Sequence, residues 1–114
     1  MLYWYKIAEH ANALPWQENG ICVVQVRGKD RLLAKVGEAC KAVSATCPHA
    51  GAPLADGCLN ARGEIVCPLH HYRFRLQNGY NSSGEGYRLT TYILEQKADG
   101  LYMGLPEPPE IEII

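Results

Sequence analysis

Two thiols and two imidazoles, spaced as Cys47-Pro-His49, then seventeen residues from Ala50 to Val66, then Cys67-Pro-Leu-His70, are the side chains of this 114-residue chain best suited to chemistry. Soft sulfur and borderline nitrogen donors in short loops make a transition-metal site, and zinc and iron–sulfur chemistry are the two candidates. Zinc sites of Cys₂His₂ type often open with a C-x-x-C knuckle and carry their histidines on a helix. Here each half-site pairs one Cys with one His, and each Cys precedes a Pro. Two such loops can meet symmetrically, both cysteines on one metal ion and both histidines on another.

The elements that must position these loops read as β-strands bounded by turn residues. Tyr3–Ala8 is aromatic and apolar, Ile21–Arg27 is β-branched, and Arg31–Val36 alternates imperfectly between turns expected at Gly28-Lys29-Asp30 and Gly37-Glu38. Cys40–Thr46 runs into the first half-site. Beyond the second, Tyr72–Leu76 alternates strictly, which places Tyr72, Phe74 and Leu76 on one face and Arg73 and Arg75 on the other. Tyr87–Glu95 and Leu101–Leu105 flank Ala98-Asp99-Gly100, expected as a hairpin turn with Gly100 at a positive φ. A helical turn is expected only near Ala11 and Ala13, ended by Pro15. The expected class is all-β, with strands from both ends of the chain forming a base and the motif segment inserted between them.

Length and composition narrow the function. The chain suffices for one domain, expected over 1–105, with the half-sites inside about 46–86 and a Pro/Glu-containing tail at 106–114. Lys plus Arg number 11 against 12 Asp plus Glu, so the whole-molecule charge predicts no nucleic-acid partner. No apolar run approaches the roughly 18 residues of a spanning helix, so neither a membrane anchor nor a signal peptide is expected. Cys22, Cys40 and Cys58 remain outside the motif, an odd number that suits a reducing cytoplasm and plain packing roles.

The run Cys47-Pro-His-Ala-Gly-Ala-Pro-Leu-Ala-Asp-Gly57 resembles the first cluster loop of soluble Rieske ferredoxins and of the Rieske domains of ring-hydroxylating oxygenases. Cys67-Pro-Leu-His70, with Phe74 four residues on, resembles the second, and Gly79 to Gly86 stands where the family carries a covering loop. The similarity extends over nearly all of residues 2–105. It implies a Rieske-type fold, an antiparallel β-sandwich base with a small inserted cluster-binding subdomain. It also implies one [2Fe–2S] cluster, with Cys47 and Cys67 on one iron and His49 and His70 on the other.

Respiratory and photosynthetic Rieske proteins add one cysteine to each loop and join the two; Ala52 and Leu69 occupy those positions here, so that disulfide is not expected. The same branch has a hydroxyl donor where this chain has Phe74. Fewer donors to the cluster sulfurs argue for the low end of a range from about −150 to +300 mV. In the family the two histidines lie at the molecular tip, which implies an electron exit at His49 and His70 with a rim of Ala50, Pro53, Leu54 and Leu69. His71 departs from the glycine common after the second ligand.

The function so implied is one-electron carriage by a Rieske-type ferredoxin, from a flavin-containing reductase to a terminal oxygenase or similar acceptor. No dinucleotide fingerprint or acid/base constellation accompanies the motif, so the chain is not expected to be an enzyme by itself. The alternatives are a Rieske-like small subunit of a larger reductase, such as nitrite reductase, and a zinc-stabilised interaction module.

Overall fold

The computed structural model describes residues 1–48, 51–69, 71–83 and 86–108. Those residues form β1 (Tyr3–Ala8), β2 (Ile21–Val26), β3 (Lys29–Val36), β4 (Ala39–Ser44), β5 (Cys58–Leu59), β6 (Glu64–Val66), β7 (Arg73–Arg75), β8 (Thr91–Lys97) and β9 (Gly100–Leu105), with 3-10 turns at Ala11–Ala13 and Leu54–Asp56. The fold is all-β, as expected, and every pairing is antiparallel.

Six strands run in the order β1-β9-β8-β4-β3-β2. The two halves of this sheet pair through Ala42↔Tyr92 and Val43↔Thr91, with Ser44 and Thr90 hydrogen-bonded just beyond. A seam so short lets the halves fold over one another, and they enclose one core of Cys22, Leu33 and Ala42 against Leu101, Met103 and Leu105. The opposite face of β2-β3-β4 carries Ile21, Leu32, Ala34 and Val43 into a second core shared with the inserted segment. Strand β3 is therefore buried on both faces from Arg31 to Ala34. Burial on both faces removes the polar alternation, which is why its sequence alternates imperfectly.

Two turns differ from expectation. The β2–β3 connection is the pair Arg27-Gly28, with φ of 58° and 74°, and Lys29 and Asp30 already belong to β3. With both φ values positive the pair has the type I′ pattern, whose twist matches that of the paired strands, and Arg27 is held in the left-handed region to form it. At the β8–β9 hairpin the turn is Ala98-Asp99, and Gly100 is the first residue of β9, paired with Lys97. Gly100 answers a close approach: a Cβ there would stand 2.6 Å from Lys6 Cε and 3.0 Å from the Ala8 carbonyl oxygen of β1.

Between β4 and β8 lies the smaller sheet, β5-β6-β7. Ile65 pairs with Phe74, both fully buried, and together with Leu54, Leu76 and Leu89 they seat this sheet on the second core. The alternation expected at 72–76 is present, with Phe74 and Leu76 inside and Arg73 and Arg75 exposed. Strands β5 and β6 were not predicted. At two and three residues they are too short to show a period.

Candidate metal centre

Each half-site begins where a strand has just ended, and the backbone then closes on the cysteine in the same way twice. The Cys47 N–H donates to the Ala52 carbonyl at 2.8 Å and the Gly51 N–H donates to the Cys47 carbonyl at 2.8 Å. In the second loop the Cys67 N–H donates to the Tyr72 carbonyl at 2.8 Å and the His71 N–H to the Cys67 carbonyl at 3.0 Å. Residues four beyond each cysteine take the left-handed conformation, Gly51 at φ 70° and His71 at φ 60°. The two loops are thus copies of one backbone device. The prolines after each cysteine have no N–H to satisfy within it.

Gly57 binds the first loop to the strand that feeds the second. A Cβ at Gly57 would lie 2.2 Å from the Val66 carbonyl oxygen, so only glycine permits the approach. From the other side, Asn19 Nδ2 donates to the Ala55 and Gly57 carbonyls at 3.0 and 3.1 Å, and Gln17 Nε2 to Ala55 at 3.2 Å. Nothing in the sequence singled out these two amides. They lie almost forty positions upstream of the carbonyls they satisfy.

Cys47 and Cys67 are both fully buried and belong to one apolar cluster with Leu54, Ile65 and Phe74. His49 and His70 lie outside the described residues, as does Ala50. Of the expected rim, Pro53 and Leu69 are exposed, Leu69 at 54 %. Leu54 is not a rim residue: it is fully buried and its side chain seats the first loop on the core. The 3-10 turn that follows Pro53 rotates it inward.

The remaining cysteines separate clearly from this pair, and no disulfide joins any of the five. Cys22 is buried in the sandwich core, where desolvation, reinforced by Cys40, pushes its thiol up to about 11. Cys40 is half-buried and shifted upward by the same desolvation. Cys58 is exposed, contrary to the expectation of a packed thiol.

A buried carboxylate organises the outer side of the small sheet. Glu64, 3 % exposed, accepts from Ser82 Oγ and, at 2.8 Å, from Asn60 Nδ2. Ser82 N–H donates to the Arg73 carbonyl at 2.8 Å, and Arg73 N–H donates to Ser83 Oγ at 3.1 Å. Segment Tyr80–Ser83 is thereby pinned to β7, directly after the second half-site. The Ser82 and Asn60 hydrogen bonds hold the Glu64 carboxyl below its ordinary value. A depressed folded-state pKa adds stability above the unfolded value and loses it as pH falls through the folded one. Glu64→Gln is expected to cost roughly 1.5 kcal/mol at neutral pH, and the difference from the unmodified protein should shrink below pH 4 in denaturant titrations.

His71 holds the left-handed position that Gly51 fills in the first loop, and a non-glycine residue there costs about 1 kcal/mol. His71→Gly is expected to raise the melting temperature by about 3 °C without altering the visible spectrum.

Two matching loops, each burying a cysteine in a common apolar wall and each followed by a histidine in sequence, define a domain built to hold a small metal cluster between its loops. The family model for the Rieske [2Fe-2S] domain matches residues 3–92, and the chain belongs to that family. Its cofactor is a Rieske-type [2Fe–2S] cluster. The two buried thiols and the mixed sulfur and nitrogen donor set fit that group.

Over 62 residues the chain is 39% identical to the ferredoxin component of the naphthalene 1,2-dioxygenase/salicylate 5-hydroxylase systems of Ralstonia sp, covering 54% of this chain and 59% of that protein. The same figures hold for the ferredoxin component of the naphthalene 1,2-dioxygenase system of Pseudomonas putida. The match therefore spans about three fifths of the length of these relatives. Among solved structures, a chain of the complex of reduced oxygenase and oxidized ferredoxin in carbazole 1,9a-dioxygenase is similar with a TM-score of 0.75 and 27% identity, over 94% of this chain and 97% of that one. The NADH-dependent nitrite reductase small subunit from Mycobacterium tuberculosis, at 16% identity and TM-score 0.76 over 91% and 95%, shares the fold.

Proposed function

We propose that this chain is a one-electron carrier, a Rieske-type ferredoxin that receives an electron from a flavin-containing reductase and delivers it to a terminal oxygenase or similar acceptor in the cytoplasm. Residues 1–105 form its single domain, with Cys47 and Cys67 on one iron and His49 and His70 on the other. The observation that carries this reading is the doubled loop closure around two buried cysteines, joined with the likeness to ferredoxin components of dioxygenase systems. When bound, the cluster supplies a site for one electron.

The chain's own residues do the rest. Leu54, Ile65 and Phe74 wall the cysteines from water, which limits solvent rearrangement on electron arrival. Phe74 brings no hydroxyl to the sulfurs, which favours a low potential. Exposed Pro53 and Leu69 offer an apolar contact to a transient partner. A built-in subunit of nitrite reductase type shares the fold, but the complete Cys/His pairs favour a carrier.

The test combines composition and kinetics. Two irons and two sulfides per chain, reduction by a flavoprotein reductase, and reoxidation by an oxygenase are the expected results. Leu69→Glu is expected to slow transfer to the acceptor about tenfold, because a transient contact must then desolvate a carboxylate, while leaving cluster content unchanged. Stoichiometric zinc and no visible absorption, in protein made with ample iron, would overturn the assignment.

A further inference from the structure

The outer face of the small sheet collects arginines that, among the described residues, form no ion pair with an acid. Strand pairing sets Val66 opposite Arg73 and Glu64 opposite Arg75. Bridges from Phe74 to Asn81 and from Tyr80 to Arg88 then continue the sheet past β7. One cross-strand row is therefore Glu64, Arg75, Tyr80 and Arg88, with Arg73 one step nearer Cys67. Arg62, Arg73, Arg75 and Arg88 are all exposed. The Arg88 guanidinium lies over the half-exposed Tyr80 ring, 4.5 Å from its centroid.

The one described acid on this row forms no ion pair with them, and Arg73 and Arg62 attract its carboxylate only as charges at longer range. Glu64 is turned inward, its two oxygens taken by the neutral donors of Ser82 and Asn60. Among the described residues the ion pair present is Lys6–Glu9, far away in the sandwich base. The kind of cation is also uneven. Every lysine lies in the base, at positions 6, 29, 35, 41 and 97, interleaved there with acids, whereas the cations of residues 45–90 are all arginine. Arginine's planar fork binds carboxylates bidentately and holds less water than lysine, so it is the cation favoured at protein interfaces.

We propose that this arginine face is a docking surface for an acidic protein, the redox partner of the carrier function on which this inference rests. Its cationic sites lie beside the second half-site, so an acidic patch that pairs with them brings a partner's redox group toward the cluster end of the molecule. Steering of this kind acts mainly on the association rate and is screened by salt.

The experiment uses the chemically reduced, cluster-loaded protein and two protein oxidants of opposite charge, an acidic and a basic cytochrome c, mixed by stopped flow. The expected result is that raising salt from about 20 to 500 mM slows reduction of the acidic cytochrome by about fivefold or more. The double variant Arg73→Gln/Arg75→Gln should lose most of this sensitivity with its spectrum and potential unchanged, while Lys29→Gln/Lys41→Gln on the base retains it. Equal rates for the double variant and the unmodified protein would overturn the docking face and leave the carrier reading standing. Failure to reduce either cytochrome would overturn the carrier reading and this inference with it. Unchanged cytochrome rates, combined with arginine-dependent binding to phosphatidylglycerol vesicles, would assign the face to a lipid surface instead.

Discussion

Serine in place of Cys47 or Cys67 is expected to give a colourless protein that retains essentially no iron or labile sulfide. In the proposed assignment each cysteine supplies the thiolate of its half-site, and a serine hydroxyl stays protonated at neutral pH and is too hard a donor to replace it. Each also sits fully buried, so no exposed thiol can substitute by a small movement of the loop. Cys22→Ala and Cys58→Ser are the controls. Cys22 lies in the sandwich core with its thiol held protonated, and Cys58 is on the surface of the small sheet. Both controls should keep the full visible spectrum. A protein that loses its colour with Cys58→Ser and keeps it with Cys47→Ser would refute the ligand assignment.

Leu54→Glu should be nearly as severe, for a different reason. Leu54 is fully buried against the cluster that contains Cys47, Cys67, Ile65 and Phe74. A carboxylate in that position has no partner, and its burial costs at least about 4 kcal/mol, a large part of a typical domain's 5–15 kcal/mol. The expected result is loss of the cooperative unfolding transition, or of soluble cluster-loaded protein, measured by denaturant titration and iron content. Leu69→Glu, at a half-exposed leucine, should express and load normally. The contrast between the two leucines separates the wall of the site from its rim; equal behaviour would mean that the 3-10 turn does not bury Leu54 in solution.

Those two leucines also show where sequence reading stopped. Leu54 follows Pro53 among small residues and Leu69 lies inside the second half-site after Pro68, and neither run carries a periodicity that tells burial from exposure. Leu54 goes inward because a 3-10 turn follows Pro53 and because the apolar face of β2-β3-β4 needs covering. The β2–β3 turn was misplaced by one or two residues for a similar reason. Gly28 advertises a turn, but the demand that Arg27 share its positive φ comes from the twist of the paired strands. The roles of Asn19, Gly57 and Ser82 depend on partners far off in sequence, and polar side chains of that kind carry no periodic signal.

What the sequence by itself determined is the part of this protein that is local. The types and spacing of the candidate ligands are read from four residues in two short loops, and the all-β class follows from strand composition and turn residues, because coordination and backbone preference act over a few positions. The tertiary structure alone decided which of the cysteines are walled from water and which leucine builds that wall. It also gave both Glu64 oxygens to Ser82 and Asn60 rather than to an arginine. Burial and charge pairing are properties of atoms brought together across the chain, so they exist only once the two sheets have packed.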